Sequence, residues 1–184
     1  MPIGKTKEVN YMEDDLKREI VFSVISLMPN LGKTKLQKSL YFLQESQGVP
    51  LGFDFVMYHY GPYSNDIDSV LTEMSARGTI EIVGYPRGDW VGYEIRPTKE
   101  EAAVPPEYAK QIERVAGFFS RLDAQQTELC ATIHFVKSIL AEKKQEATRD
   151  AVTREVINIK PKFSSEVVNE WIDKLVAAGL MAGI

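Results

Sequence analysis

Three lysines near the start of a helical stretch are the residues best placed to bind an anionic partner. Lys33, Lys35 and Lys38 lie close together, and the next acidic residue along the chain is Glu45. Lysine ammonium groups clustered in this way can contact the phosphates of a nucleic acid, and Arg87, in a predicted hairpin turn, would add a further contact. The alternative interpretation is a solvated helix face that holds no ligand.

No other set of reactive side chains has the spacing of a catalytic or metal site. Gly32-Lys33-Thr34 is not part of a phosphate-binding loop, because Leu27 stands where that loop needs its first glycine and a helix, not a strand, precedes it. His59 and His134 have no cysteine or carboxylate at metal-ligand spacing. Cys130 falls on an apolar helical stripe, where a core residue is expected. We therefore predict no catalytic residue, cofactor or metal.

The elements that position the lysines can be inferred from the spacing of apolar residues. Helical spacing predicts a first helix that begins at Asn10 and ends at Pro29-Asn30, and a second helix over residues 34–46. Aromatic and β-branched residues predict a strand over residues 53–60, which Gly61-Pro62 should end. A third helix is predicted over residues 64–78, with a serine as its N-cap and a glycine at its end.

Two strands complete this unit, because apolar and polar residues alternate over residues 79–96 around a turn. Helices followed by a hairpin are the outline of a winged helix-turn-helix. The predicted fold class is α+β, mainly α, with a winged-helix-like core and a helical C-terminal extension. The predicted organisation is a flexible tail at residues 1–9, a winged-helix-like domain at residues 10–104, and a helical extension at residues 105–184 that packs on it. Asp123 and Ser164 are the predicted N-caps of two helices in this extension.

The third helix weakens the DNA interpretation, because it is the helix expected to enter the major groove. Its predicted outer face carries three acids and one base. The residues of this face are Asn65, Asp66, Asp68, Ser69, Thr72, Glu73 and Arg77. Its neutral polar residues and its arginine could read base edges, but its acids would repel phosphates. About sixteen residues separate the second and third helices, where a DNA-reading unit uses a short turn.

An aromatic run precedes the third helix and consists of Phe53, Phe55, Tyr58, Tyr60 and Tyr63. The phenylalanines are expected in the core. The tyrosines need partners for their hydroxyl groups and, with the neighbouring His59, could line a groove that binds a protein. A half-buried ring with a satisfied hydrogen bond is the alternative for the histidine.

The bulk composition favours a soluble, cytoplasmic protein. The chain has 184 residues, of which 44% are hydrophobic, and its net charge is −4. Any contact with nucleic acid would therefore need a local basic patch. A single cysteine excludes an internal disulfide, and the sequence has neither the apolar region of a signal peptide nor a run long enough to span a membrane.

The sequence also resembles a known family. The motif Leu36-Gln-Lys-Ser-Leu-Tyr-Phe-Leu43, the turn Gly48-Val-Pro-Leu51 and the motif Tyr60-Gly-Pro-Tyr-Ser64 resemble the YwgA-like proteins of bacteria and archaea. They are similar, more distantly, to the SocA-type antitoxin domain, also called Panacea. The resemblance covers about residues 14–100. It implies a mainly helical, winged-helix-like domain without enzymatic activity, which in the antitoxin relatives binds a protein partner, a toxin or a protease.

We predict a non-catalytic regulatory binding module that acts through a protein partner, in the manner of an antitoxin or adaptor. The alternative is a DNA-binding winged-helix transcriptional regulator, and a third option is an enzyme that uses His59 or Cys130. A homodimer could form through residues 107–140, although the same apolar stripes are what a monomer core needs. The candidate partner or nucleic-acid contacts are Lys33, Lys35, Lys38, Tyr58, His59, Tyr60, Tyr63, Asn65, Ser69, Thr72, Arg77 and Arg87.

Overall fold

A computed structural model describes residues 5–98 and 104–184 of the chain. The first half of the chain contains α1 (Lys5–Leu27), β1 (Leu31–Gly32), α2 (Lys33–Glu45), β2 (Val56–Tyr58), β3 (Gly61–Tyr63), α3 (Asn65–Ala76), β4 (Ile80–Arg87) and β5 (Trp90–Pro97). The second half contains α4 (Ala109–Phe119), α5 (Ala124–Glu142), α6 (Arg149–Ile159) and α7 (Ser165–Ala177). The fold is mixed α+β and mainly helical, with little strand.

The first helix begins earlier than the sequence pattern predicts. It starts at Lys5 rather than Asn10, so residues 5–9 of the predicted tail belong to α1, while residues 1–4 lie outside the described residues. No glycine or proline occurs between Lys5 and Leu27, and nothing in this sequence stops the helix from extending toward the N-terminus. The buried face of α1 includes Ile20 and Val24.

A three-stranded antiparallel sheet has the order β1-β5-β4. The strands β4 and β5 form a long hairpin, paired from Ile80 with Pro97 to Arg87 with Trp90. The strand β1 pairs only Leu31 with Ile95 and its neighbour Gly32 with Glu94. Two residues are too few to show alternation, so the sequence pattern does not reveal β1. Its pairing ties the junction between α1 and α2 to the base of the long hairpin.

The connection between α2 and α3 contains a second, short hairpin, β2–β3. The prediction of one strand that ends at Gly61-Pro62 is wrong, because Val56 pairs with Tyr63 and Tyr58 pairs with Gly61. The chain reverses through His59 and Tyr60, and Gly61, which follows them, has a φ angle of +90°, a conformation that glycine adopts without steric cost. Pro62 is tolerated because a two-stranded ribbon does not require its missing N–H group.

The C-terminal helices follow the sequence pattern closely. Asp123 accepts a hydrogen bond from the Gln126 backbone N–H at 2.8 Å, which forms the start of α5. Ser164 caps α7 by accepting a hydrogen bond from the Val167 backbone N–H. Both residues are the N-caps that the sequence predicts. Helix α5 packs against α2, β3, α6 and α7.

One hydrophobic core joins residues on both sides of the predicted boundary at residue 104. Phe42 of α2 lies against Phe119 of α4, with ring centroids 5.0 Å apart. The apolar stripes within residues 107–140, which were candidates for a dimer surface, are buried in this core, as Ile112 and Ile133 illustrate. The chain itself therefore covers those stripes. Within the described residues, no helix is long and apolar enough to cross a membrane.

Candidate functional site: a cleft between two hairpins

A concave surface lies where the two hairpins meet the beginnings of α2 and α5. This central cleft has a volume of about 690 Å³. Its walls are formed by the long hairpin, the tip of the short hairpin, the first residues of α2 and of α5, and the loop after α6. The lining residues are Asn30, Gly32, Lys33, Thr34, Lys35, Tyr60, Tyr85, Arg87, Val91, Gly92, Tyr93, Ala124, Gln125, Thr127, Glu128 and Lys162.

Helix α2 turns polar side chains inward to hold the short hairpin. The buried amide of Gln37 donates to the Ser64 carbonyl oxygen at 2.9 Å and accepts from the Ser64 backbone N–H at 3.0 Å. Lys38 donates to the Pro62 carbonyl oxygen at 2.7 Å. These three bonds satisfy buried backbone groups that would otherwise be unpaired. They fix the chain between β3 and the start of α3.

Lys38 is therefore not available as a surface phosphate contact, which corrects the sequence-based prediction. Its side chain folds under the short hairpin and the residue is only 2% exposed. Burial lowers the pKa of the Lys38 ammonium to about 8, because a low-dielectric environment disfavours the charged form.

The other two lysines of the cluster reach the central cleft but also make contacts within the fold. Lys33 lies 3.4 Å from the Asp68 carboxylate and its ammonium lies over the Tyr93 ring. Lys35 donates to the Leu122 carbonyl oxygen at 2.6 Å, and burial lowers its pKa. The basic cluster is thus divided, with two members at the cleft and one beneath the hairpin.

Three charged residues from the C-terminal half form a cluster that contacts the short hairpin through Lys160. The Glu128 carboxylate pairs with Lys160 at 2.5 Å and with Lys162 at 2.9 Å, and Lys160 also donates to the His59 carbonyl oxygen. Burial alone would raise the pKa of Glu128, but the hydrogen bonds from the two lysines outweigh it and hold that pKa below its ordinary value. The sequence does not reveal this group of three charged residues, because its members are far apart along the chain. The only local signal is an acid beside the apolar run that starts at Leu129.

The aromatic residues of the short hairpin divide into two groups. Tyr58, His59 and Tyr60 are exposed, and the Tyr58 and His59 rings contact each other in a tilted arrangement with centroids 4.6 Å apart. Tyr63 instead donates its hydroxyl to Asp68 at 2.5 Å, and this hydrogen bond raises the pKa of Tyr63 to about 12. A smaller pocket of about 160 Å³ lies under these rings and shares Tyr60 with the central cleft.

The outer half of the long hairpin supplies the opposite wall. Its exposed side chains include Tyr85, Arg87, Val91 and Tyr93. Gly92 allows the Tyr85 ring to lie across the strand, since a Cβ atom at this glycine would come within 2.6 Å of that ring. Arg87 is a contact predicted from the sequence, whereas the two tyrosines and the valine of this hairpin are not among the predicted contacts.

The predicted contacts on α3 lie outside the central cleft. Asn65, Ser69, Thr72 and Arg77 are exposed, and none of them lines the cleft. Arg77 pairs with Glu73 at 2.6 Å along the helix, which neutralises one of the three acids on this face. The structure therefore separates the α3 face from the residues that it gathers around the cleft.

Two of the reactive side chains, Cys130 and His134, are buried inside the fold. Cys130 is fully buried and burial raises the pKa of its thiol. His134 is buried as well, shares a 2.8 Å hydrogen bond with the Tyr41 hydroxyl, and has its pKa lowered to about 4 by burial. Within residues 5–98 and 104–184, no three histidine, cysteine or acidic side chains are arranged to hold a metal ion.

The chain is similar to YwgA. The uncharacterised protein YwgA of Bacillus subtilis (strain 168) is 23% identical to it over 143 residues, which cover 76% of this chain and 82% of YwgA. No protein-family model matches the chain. The similarity supports the predicted YwgA-like resemblance, while the likeness to SocA-type antitoxins stays a prediction.

The segments that carry this resemblance contact each other in the structure. Gln37 and Lys38 belong to the first motif, and they bind the backbone of Pro62 and Ser64 in the second. These motifs therefore describe how the short hairpin is attached to α2. The surface that faces the central cleft is built largely from other residues.

Proposed function

We propose that this protein is a non-catalytic regulatory binding module that acts through a protein partner, in the manner of an antitoxin or adaptor. The partner binds at the surface formed by the two hairpins around the central cleft. One observation carries the proposal: six of the eight large hydrophobic residues that are exposed in the described part of the chain lie on these hairpins. They are Val56, Tyr58, Tyr60, Tyr85, Val91 and Tyr93, each between 41% and 60% exposed.

This composition is that of a protein interface. Tyrosines are enriched at the centres of such interfaces because they bury a large apolar area and keep a polar group for hydrogen bonding. Tyrosines also contribute a large share of measured binding energy. The two valines, Val56 and Val91, are each 60% exposed and would gain from burial against another protein.

A winged-helix scaffold would explain the arrangement of the two hairpins. The element order α1-β1-α2-α3-β4-β5, with β1 beside β5, supports such a scaffold, and the long hairpin would then be its wing. The short hairpin β2–β3 is inserted between α2 and α3, where a DNA-reading unit has a short turn. In this proposal, the insertion has changed a DNA-reading scaffold into one that presents aromatic side chains to a protein.

The buried state of the cysteine favours a role without catalysis. A thiol with a raised pKa is not a nucleophile near neutral pH. His59 is exposed and its ring lies beside that of Tyr58, on the surface that we assign to the partner.

A DNA-binding regulator is the second candidate, favoured by the exposed Arg87 on the long hairpin and by Lys33 at the cleft. Two observations count against it. Lys38 is buried, and exposed Asp66 stands in the first turn of α3, where it would repel the DNA backbone.

Affinity capture from the native host tests the proposal. We expect the tagged protein to recover a partner protein in stoichiometric amount, and a Tyr60→Ser, Val91→Ser double variant to lose it. The matched control is Ile159→Ser, which removes a residue that is 43% exposed and does not line the central cleft. Recovery of no stoichiometric partner, or equal recovery by the double variant, would contradict the proposal.

Fluorescence anisotropy with duplex DNA separates the two candidates. A DNA-binding regulator would bind at about 50 mM salt and lose affinity steeply as salt is raised. We expect no such binding. Tight, salt-sensitive binding that Arg87→Ala weakens would favour the second candidate instead.

A further inference from the structure

We propose that the partner contributes an acidic, extended segment that adds as a strand to the free edge of β5 inside the central cleft. This inference rests on the proposed function and specifies the chemistry of the partner. Its support comes from the pairing of the strands, the charges around the cleft, and the apolar side chains on one face of the long hairpin.

Among the residues that the structure describes, no strand lies beside the outer part of β5 on one of its two edges. On one side, β4 pairs with β5 along its whole length. On the other side, β1 pairs only with Glu94 and Ile95, and the chain then turns into α2 at Lys33. Backbone groups point alternately to the two edges of a strand, so alternate residues within 91–93 present their N–H and C=O groups on the side where β1 ends. An unpaired strand edge of this kind is a template for an added strand.

The central cleft lies along this edge. Val91, Gly92 and Tyr93 of β5 line it, and so does Gly32, the last residue of β1. An added strand would continue the line of β1 beyond Gly32 and occupy the cleft. A volume of about 690 Å³ falls within the range of roughly 300–1,000 Å³ that is usual for binding sites.

The charges around the cleft select an acidic segment. Four cations line the cleft, Lys33, Lys35, Arg87 and Lys162, against a single carboxylate, Glu128. The hydrogen bonds from Lys160 and Lys162 already neutralise that carboxylate. The protein as a whole carries a net charge of −4, so the cleft is a local basic site on an acidic molecule. Complementary charge favours encounter with acidic side chains and excludes basic ones.

The cleft also offers apolar contacts for such a segment. Side chains two residues apart share a face of a strand, so Val91 and Tyr93 lie on the same face as the buried Ile95. This face is covered by the core at the base of the hairpin and is exposed at its outer end. A segment that alternates acidic with aromatic or aliphatic residues would pair its backbone with β5 and cover both side chains.

A peptide suits this surface better than a nucleic acid. Val91 lines the cleft and offers an aliphatic contact, which packs against peptide side chains.

A labelled twelve-residue peptide that repeats Glu-Tyr-Glu-Val tests the inference with the full chain. We expect saturable binding by fluorescence anisotropy, and a loss of about tenfold in affinity for Arg87→Glu, since this change reverses a charge at the cleft rim. The matched control Arg154→Glu changes an exposed arginine that does not line the cleft and should alter affinity less than about twofold. Thermal unfolding of both variants verifies that each one is folded.

Three comparison probes give each outcome a meaning. A peptide with lysine in place of glutamate should not bind, and a peptide with proline in place of valine should bind weakly because proline cannot donate to the strand ladder. Amide hydrogen exchange should slow at the edge-facing amides within residues 91–93 when the acidic peptide binds. Equal binding of the lysine peptide, equal binding of the proline peptide, or tighter binding of a twenty-nucleotide oligothymidine would overturn the inference.

The inference and the proposed function can fail separately. If the host partner is captured through Tyr60 and Val91 but no acidic peptide binds, only the acidic strand is wrong. If the captured partner is absent as well, the proposed function fails with it.

Discussion

The two hairpins are stabilised in opposite ways. The short hairpin has only three paired positions and depends on side chains from distant elements, Gln37, Lys38 and Lys160, which bind its backbone. The long hairpin has eight paired positions and needs the core only at its base, where Ile80 and Ile95 are buried. A short hairpin is marginal by itself, whereas a long ladder can extend beyond the core.

This difference indicates which residues serve the fold and which remain for a partner. Lys38 of α2 looks functional in the sequence but binds the short hairpin, whereas Lys33 and Lys35 reach the central cleft. The outer half of the long hairpin makes few contacts with the rest of the chain, and its side chains are free to bind. Substitutions at the anchors of the short hairpin should therefore change stability, while substitutions on the long hairpin should change binding.

The largest effect is expected at Glu128. Glu128→Gln should lower the free energy of unfolding by about 4 kcal/mol, because it leaves the buried ammonium of Lys160 without a counter-charge. Urea unfolding measures this change. The control Glu113→Gln alters an exposed residue and should cost less than about 0.5 kcal/mol.

A double variant refines this prediction. Lys160→Met added to Glu128→Gln should recover part of the lost stability, since no buried charge remains unpaired. If the single variant behaves like Glu113→Gln, the short hairpin does not depend on this ion pair.

The next effect is a pH dependence caused by Lys38. Its pKa is about 8 in the folded protein and about 10.4 in an unfolded chain, so the unfolded state binds more protons between these values and stability must rise with pH across that window. Relative to Lys38→Met, the wild-type protein should gain about 3 kcal/mol of unfolding free energy between pH 7 and pH 10.5.

Unfolding measured at several pH values for both proteins gives this difference directly. Titration of other groups is common to both proteins and cancels. A difference that stays constant from pH 7 to pH 10.5 would show that the Lys38 ammonium is not buried.

A smaller loss is expected for Gln37→Leu. The leucine has a similar size but leaves the Ser64 N–H and C=O groups unpaired in the interior, which should cost about 2 kcal/mol. Gln125→Leu is the matched control at an exposed position on α5. Equal stability of the two variants would mean that the Gln37 bonds do not hold the hairpin.

The smallest effect on stability is expected on the long hairpin. Val91→Thr keeps a β-branched residue at a position that is 60% exposed, so the free energy of unfolding should change by less than about 0.5 kcal/mol. The same variant should bind the partner more weakly. A large loss of stability would remove the contrast between the two hairpins.

Much of the helical framework can be predicted from the sequence, because periodic apolar residues and capping residues are local signals. Asp123 and Ser164 begin α5 and α7 as predicted. The positive φ angle of Gly78 likewise fits its predicted place at the end of α3. The strands were harder to predict, since β1 has two residues and β2–β3 depends on anchors supplied by other elements.

The site was only partly predictable for a related reason. Charge patterning places Lys38 on the outer face of its helix, and only the fold reveals that the short hairpin covers this face. At least 32 residues separate Glu128 from Lys160 and from Lys162 along the chain. No local pattern in the sequence therefore links the carboxylate to the two lysines. Tyr85 and Val91 look like ordinary strand residues until the exposed end of the long hairpin is seen.

Site-specific photo-crosslinking in the native host tests the central claim most directly. A benzophenone amino acid is placed at Val91 in one variant and at Arg154, on the exposed face of α6, in another. A surface that binds a protein predicts a discrete protein adduct from Val91 and none from Arg154. Equal adducts from both positions, or an adduct with nucleic acid from Val91, would contradict it.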